Sequence, residues 1–375
     1  MRIARRAIMA FTGGAFASAI TSSAEASHDP APRLADAVAR YKVEHGLRSV
    51  LFGVWVGEQK LLRRALGFSG SGEPVRLGMH FRAAVVTTTY VNALLLHLAD
   101  RKRLDLDDKL SRWFPRLRSA DKVTLRMLSL NTSGYPDYLA SQAFLSGKRS
   151  VLLHHWTAQE LIDLALSMPM QFEPGKSFGY SHTNAVILGE ALQRATGTPI
   201  ATLLQEAFLR PNRLYNTEYP SSIALRAPFL HAFSREFGRF EDSTMWDPAW
   251  VSHSGLMNSN LGDVARWIRL LGSGAVLSSK SQKLLTAPAT VGLGKNAPDL
   301  YYAMGVIVAN GWIMQNGLYF GWNPVMAYRP SKDITIVVNT TIGGQSDPDK
   351  SHGLQILKQS VDILTPDQRI PERYA

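Results

Sequence analysis

An α/β (α+β) fold follows from three features of this 375-residue chain. Two apolar runs, Ser49 to Val56 and Leu61 to Gly67, are joined by Gly57-Glu58-Gln59-Lys60, which signals a hairpin. Phe81 to Leu110 carries apolar residues in almost every turn from Val91 to Ala99, so it reads as a helix covered by protein on most sides. Late in the chain, β-branched and aromatic runs bounded by Gly, Asn or Pro alternate with turns, and a helical-period segment closes the sequence.

In chain order, Leu34 to His45 has helical spacing at Leu34, Val38 and Tyr41, and Phe68 to Leu77 is a Gly/Ser loop. The central helix should start near Ala84 and leave the interior at Asp100-Arg101-Lys102-Arg103. Val123 to Leu130 is a short helix, followed by the turn Asn131-Thr132-Ser133-Gly134-Tyr135-Pro136-Asp137-Tyr138. Thr157 to Met168 is a helix with Thr157 and Glu160 placed as a capping box. A helix is expected over Ala185 to Thr196, and another over Val264 to Leu271. Strands are expected at Tyr301 to Ala309, Gly311 to Gln315, Pro324 to Arg329 and Ile334 to Thr340, with Leu354 to Leu364 as the closing helix.

Hydrophobic residues at 45% and charged residues at 19% describe a globular chain rather than a disordered one. There are no cysteines, which excludes disulfides and thiolate metal sites. The net charge of +11 is scattered without a long run, so it argues for no nucleic-acid partner. The histidines show no metal spacing, so no cofactor and no metal is expected.

Arg2, Arg5 and Arg6, an apolar run from Ala7 to Ile20, and Ala24-Glu25-Ala26 read as a bacterial export signal cleaved after Ala26. Arg5-Arg6 also fits a loose twin-arginine pattern. A periplasmic or secreted protein without a transmembrane segment after cleavage is the expectation.

The stretch from Phe81 resembles the nucleophile helix of the serine β-lactamase and penicillin-binding-protein family, in its class C and esterase branch. That pattern is close to F-R-x-G-S-x-T-K-T-F, then a long apolar helix, then G-x-L-x-L-D-D. Phe81, Arg82, Thr87, Thr89, Tyr90, Leu104, Leu106, Asp107 and Asp108 fall in register without a gap. Tyr180 and Gly189 match the second motif, Y-x-N followed by L-x-G, with His182 at the asparagine. Gln315-Asn316-Gly317 falls at the third motif, K-T-G or H-x-G, keeps only its glycine, and is by this resemblance the expected substrate-binding segment.

The resemblance covers residues 34–364. It implies a central antiparallel sheet flanked by helices, with a mainly helical subdomain inserted over residues 82–300. It implies one domain over residues 27–365, a tail over 366–375, and a cleft where the three motifs meet. Val85 stands at the family serine and Thr88 at the family lysine. The S-x-x-K pair works because positions i and i+3 share a helix face: the serine oxygen attacks a carbonyl and the lysine handles its proton. Valine has no lone pair, and a threonine hydroxyl is a poor base.

The expectation is therefore an exported relative, impaired or inactive as a serine hydrolase. It would hold a small-molecule or peptide ligand (cell-wall peptide, ester or amide) in the ancestral cleft. The alternative is a working esterase, β-lactamase or D-peptidase with Thr88 or Thr87 as nucleophile and Tyr180 or His182 as base. Against it, threonines in helices commonly bond back to helix carbonyls. His182 reads either as a pocket base or as a polar residue that holds a ligand. Ser133 sits in a Gly/Pro turn and is structural in the relatives. Tyr135, Tyr138, Trp246, Trp250, Tyr319 and Trp322 are expected mainly to pack loops around the cleft.

Overall fold

The computed structural model describes residues 29–70 and 72–374. The export-signal reading of residues 1–26 lies outside the described residues. Helix α1 (Ala31–Glu44) buries Leu34, Val38 and Tyr41 along one stripe. Strands β1 (Ser49–Val56) and β2 (Gln59–Ser69) pair antiparallel, with Val56 opposite Gln59. The turn is therefore only Gly57-Glu58. Gly57 takes φ +59°, which a residue without Cβ adopts at no steric cost. A two-residue β3 (Glu73–Pro74) pairs with the end of β2, so part of the expected Gly/Ser loop is strand.

A single 3₁₀ turn, Ala84–Val86, leads into α2 (Thr87–Asp100). Thr87 to Leu96 are all buried, and the polar side chains of Thr88, Thr89 and Asn92 donate to carbonyls one turn back. A capping box at Thr157 and Glu160 starts the short helix Ala158–Leu166. Helix α3 (His182–Thr196) begins three residues earlier than the expected Ala185, and Gly197 ends it at φ +69°. Helix α4 (Leu261–Ser273) is capped by the Asn260 side chain, which accepts from the Asp263 N–H. Its Trp267 stacks on Tyr90 of α2 with ring centroids 3.9 Å apart, and Trp267 Nε1 donates to Thr89 Oγ1 at 2.8 Å.

The remaining strands are β4 (Leu300–Tyr302), β5 (Ile307–Ala309), β6 (Trp312–Asn316), β7 (Trp322–Arg329) and β8 (Ile334–Thr341), followed by α5 (His352–Leu364). Among the described residues, eight strands form one sheet in the order β3-β2-β1-β8-β7-β6-β5-β4, antiparallel throughout. The segment expected as one strand from Tyr301 to Ala309 is two. Gly305 turns the chain at φ +74°, and a Cβ there would lie 2.5 Å from the Asn92 amide nitrogen. The break lets the strand edge close over α2.

Helices α1 and α5 cover one face of the sheet, over a core that includes Phe52, Trp312, Met314 and Ile336. The other face packs under α2 and α4, with Ile313, Met326 and Val337 in that second core. The period-2 alternation of β6 therefore sends Met314 to one side and Ile313 and Gln315 to the other. No helix of the described residues is long and apolar enough to cross a membrane.

Candidate active site

The cleft corner is made where the start of α2 meets the end of β6. Ala84 stands at the glycine of the F-R-x-G-S pattern and takes φ +48°. That region costs a residue with a Cβ about 1–2 kcal/mol. Packing holds it: Ala83 N donates to Met257 O at 2.8 Å, and Thr87 Oγ1 accepts from Met257 N at 3.1 Å. Gly317 approaches so closely that a Cβ there would lie 2.6 Å from Ala84 Cβ and 2.8 Å from Val85 N. The two backbones thus pack directly against each other, which only a glycine at 317 permits. Val85 itself is only partly buried, so an aliphatic side chain occupies the serine position.

Thr88 lies one turn on, and its hydroxyl is fully engaged. Oγ1 donates to Val85 O at 2.8 Å, with Gly305 O at 3.4 Å, and accepts from Gln315 Nε2 at 3.3 Å. Gln315 Nε2 also donates to Gly305 O at 3.0 Å, and its Oε1 accepts from Asn316 N at 3.0 Å. The glutamine is thus tied inward rather than presented as a ligand donor. Asn316 Oδ1 accepts from the Tyr374 hydroxyl at 2.5 Å, which brings the C-terminal tail to the end of β6. With the Thr87 hydroxyl engaged by Met257 and that of Thr88 by Val85 O and Gln315, neither is poised as a nucleophile beside a base.

Tyr180 and Thr88 share a small cavity with Asn92, Ser129, Asn131, Ser181 and Tyr302, closed on its apolar side by Leu128, Ala185 and Leu188. Its volume is about 10 Å³, the space of roughly one water. Ser181 Oγ is buried there without a protein partner. No lysine or arginine is among the cavity's lining residues. Tyr180 is 36% exposed as a residue, and its ring packs between Tyr302 and His182. Burial, then the charges of Tyr302, Asp137, Tyr138 and Tyr374, push the Tyr180 phenol well above its ordinary range. Burial also raises the Tyr302 phenol, and hydrogen bonding to Thr88 and Asn131 offsets this only in part. The cavity thus holds two neutral phenols and no cation to ionise either.

His182 is edge-on to Tyr180, with centroids 5.2 Å apart, and its Nδ1 donates to Asp137 Oδ2 at 2.8 Å. Burial pushes the Asp137 carboxyl up. The charge and hydrogen bond of His182, with the Leu139 and His182 backbone N–H groups, outweigh this and hold it below its usual range.

Asp137, Asn131 and Tyr302 were not singled out as site residues from the sequence. Asp137 lies inside the quoted turn motif, so a signal existed; Tyr302 looked only like a strand residue. Ser133 Oγ donates to Asn184 Oδ1 at 2.5 Å and accepts from Tyr135 N at 3.0 Å, a structural role. The aromatic residues pack loops: Tyr138 donates to Trp250 O at 2.7 Å, and Trp250 stacks on Tyr319 at 5.5 Å.

Comparison with known proteins fits this geometry. The esterase EstB of Burkholderia gladioli is 32% identical over 164 residues, covering 40% of this chain and 42% of the esterase. A D-aminopeptidase of Gluconobacter oxydans is 26% identical over 267 residues, covering 69% of this chain and 48% of that protein. The matches therefore span about half the length of these relatives or less. The D-amino acid amidase of Ochrobactrum anthropi superposes with a TM-score of 0.76 at 21% identity, covering 90% of this chain and 98% of the amidase, which shows the shared fold. The family model described as Beta-lactamase matches residues 34–360. The chain belongs to the beta-lactamase family, a fold of hydrolases that also includes esterase, D-aminopeptidase and penicillin-binding relatives.

Proposed function

We propose that this chain is a non-acylating member of the family, whose cleft binds an ester, amide or short peptide reversibly. One observation carries the reading: Val85 stands where the attacking oxygen belongs, and Thr88, one turn on, is bonded to Val85 O and Gln315. Acyl transfer through the protein needs a nucleophile with a lone pair and a base to take its proton. Neither is offered at these positions. The Val85 backbone N–H is still there for a carbonyl oxygen, because a side-chain change does not remove an N–H; the Gly317 N–H is already donated to Pro324 O at 2.9 Å. The ligand class follows from that corner and from the esterase and aminopeptidase names of the relatives.

Benzylpenicillin and a D-alanyl-D-alanine peptide are suitable probes. Native mass spectrometry should show one-to-one complexes that vanish on denaturation and weaken when Gly317→Val fills the corner. Complexes that survive denaturation would contradict the reading, as would binding unaffected by Gly317→Val.

A further inference from the structure

Among the described residues, five histidines face a carboxylate: His154–Glu160, His155–Asp247, His182–Asp137, His231–Asp242 and His253–Glu190. His253 is closed at both nitrogens, with the Tyr219 hydroxyl 2.7 Å from Nδ1 and Glu190 3.0 Å from Nε2. His154, His155 and His231 are more open to solvent and lie apart from the three motifs. His182 differs on each count. It is the third residue of the Y-x-N motif, its ring leans on Tyr180, and its side chain is 15% exposed against a carboxylate that is 17% exposed.

Asp137 Oδ2 accepts from both the ring Nδ1, at 2.8 Å, and the His182 backbone N–H, at 3.2 Å. Donation from Nδ1 to the carboxylate leaves the lone pair on Nε2. Among the described residues Nε2 has no hydrogen-bond partner, and it is not one of the atoms sealed from solvent. A carboxylate that fixes the tautomer and a free, wetted Nε2 are what general-base chemistry requires.

We propose that His182, oriented by Asp137, acts as a general base for direct attack of water on an activated ester held in this cleft, giving slow hydrolysis with no covalent protein intermediate. This rests on the non-acylating reading above. Nε2 takes a proton from water as the water oxygen bonds to the acyl carbon, and the carbonyl electron pair moves onto its oxygen. The oxyanion is assigned to the Val85 N–H, which has no hydrogen-bond partner among the described residues, whereas the Gly317 N–H is taken by Pro324 O at 2.9 Å. Collapse breaks the C–O bond to the leaving group, and the imidazolium returns its proton to the leaving oxygen or to solvent. One water and one ester give one acid and one alcohol; Asp137 stays ionised throughout. The titratable groups packed against the imidazole are Asp137, Tyr138 and Tyr180.

The full-length protein is assayed with 4-nitrophenyl acetate. The unmodified chain should accelerate hydrolysis, more slowly in D₂O than in water, with the rate falling on acidification and the intact mass unchanged during turnover. His182→Gln should lower the protein-dependent rate roughly 100-fold, the scale of a general base. Asp137→Asn, which keeps an acceptor for the Leu139 N–H, should lower it too, while His231→Gln should leave it unchanged. Undiminished hydrolysis by a folded His182→Gln or Asp137→Asn variant overturns the role of His182 and leaves the non-acylating reading standing. No acceleration by the unmodified chain does the same. An acyl adduct during turnover overturns both.

Discussion

Val85→Ser combined with Thr88→Lys should turn the chain into an acylating hydrolase. The double variant is expected to take up one fluorophosphonate per molecule and to hydrolyse 4-nitrophenyl esters at least roughly 10³-fold faster than the native chain. The geometry supports this. Position 85 is partly exposed at the start of α2, and position 88 lies one turn on along the same face. A lysine at 88 would reach the cavity shared by Tyr180, Ser181, Asn131 and Tyr302, displacing the Gln315 amide from its bond to Thr88. An ammonium buried there without a carboxylate loses proton affinity, which suits a base, and it would pull the Tyr180 phenol down from its raised state. The single variants should gain little, since members of such a unit do not act additively. Full inertness of a double variant that melts like the native chain would mean that the cleft no longer receives a carbonyl.

The largest stability effect is expected at Trp267. It is fully buried in α4, stacks flat on Tyr90, and donates to the Thr89 hydroxyl. Trp267→Ala removes a large buried ring and leaves a cavity against α2, a change that costs about 3–5 kcal/mol. The stacking contributes about 0.5–1.5 kcal/mol beyond area burial. The loss should appear as a lower denaturation midpoint in guanidinium. A loss below about 1 kcal/mol would mean that α2 and α4 close over the gap, at odds with the close-packed interior described here.

Local signals were legible where the chain itself carries them. The Gly57 turn, the Thr157–Glu160 box and the apolar wrap of α2 depend on near neighbours or on periodicity. The two-strand break at Gly305 was not legible, because its cause is Asn92, more than two hundred residues away in the chain. The same holds at the site. The missing serine and lysine could be read from register with a known pattern. What fills their place could not: Gln315 reaches Thr88 across the cleft, Tyr302 closes the cavity, and Tyr374 reaches Asn316 from the tail. Asp137 was in view within its turn, but its pairing with His182 spans forty-five residues and depends on how α3 begins.

The most direct measurement is the intact mass of the purified native chain after prolonged exposure to excess fluorophosphonate. An aliphatic group at the point of attack predicts an unchanged mass, alongside a shifted mass for the serine–lysine variant treated in parallel. A single probe adduct on the native chain would contradict the account, and mapping it to Thr87 or Thr88 would show that a hydroxyl engaged in the folded structure is freed to attack.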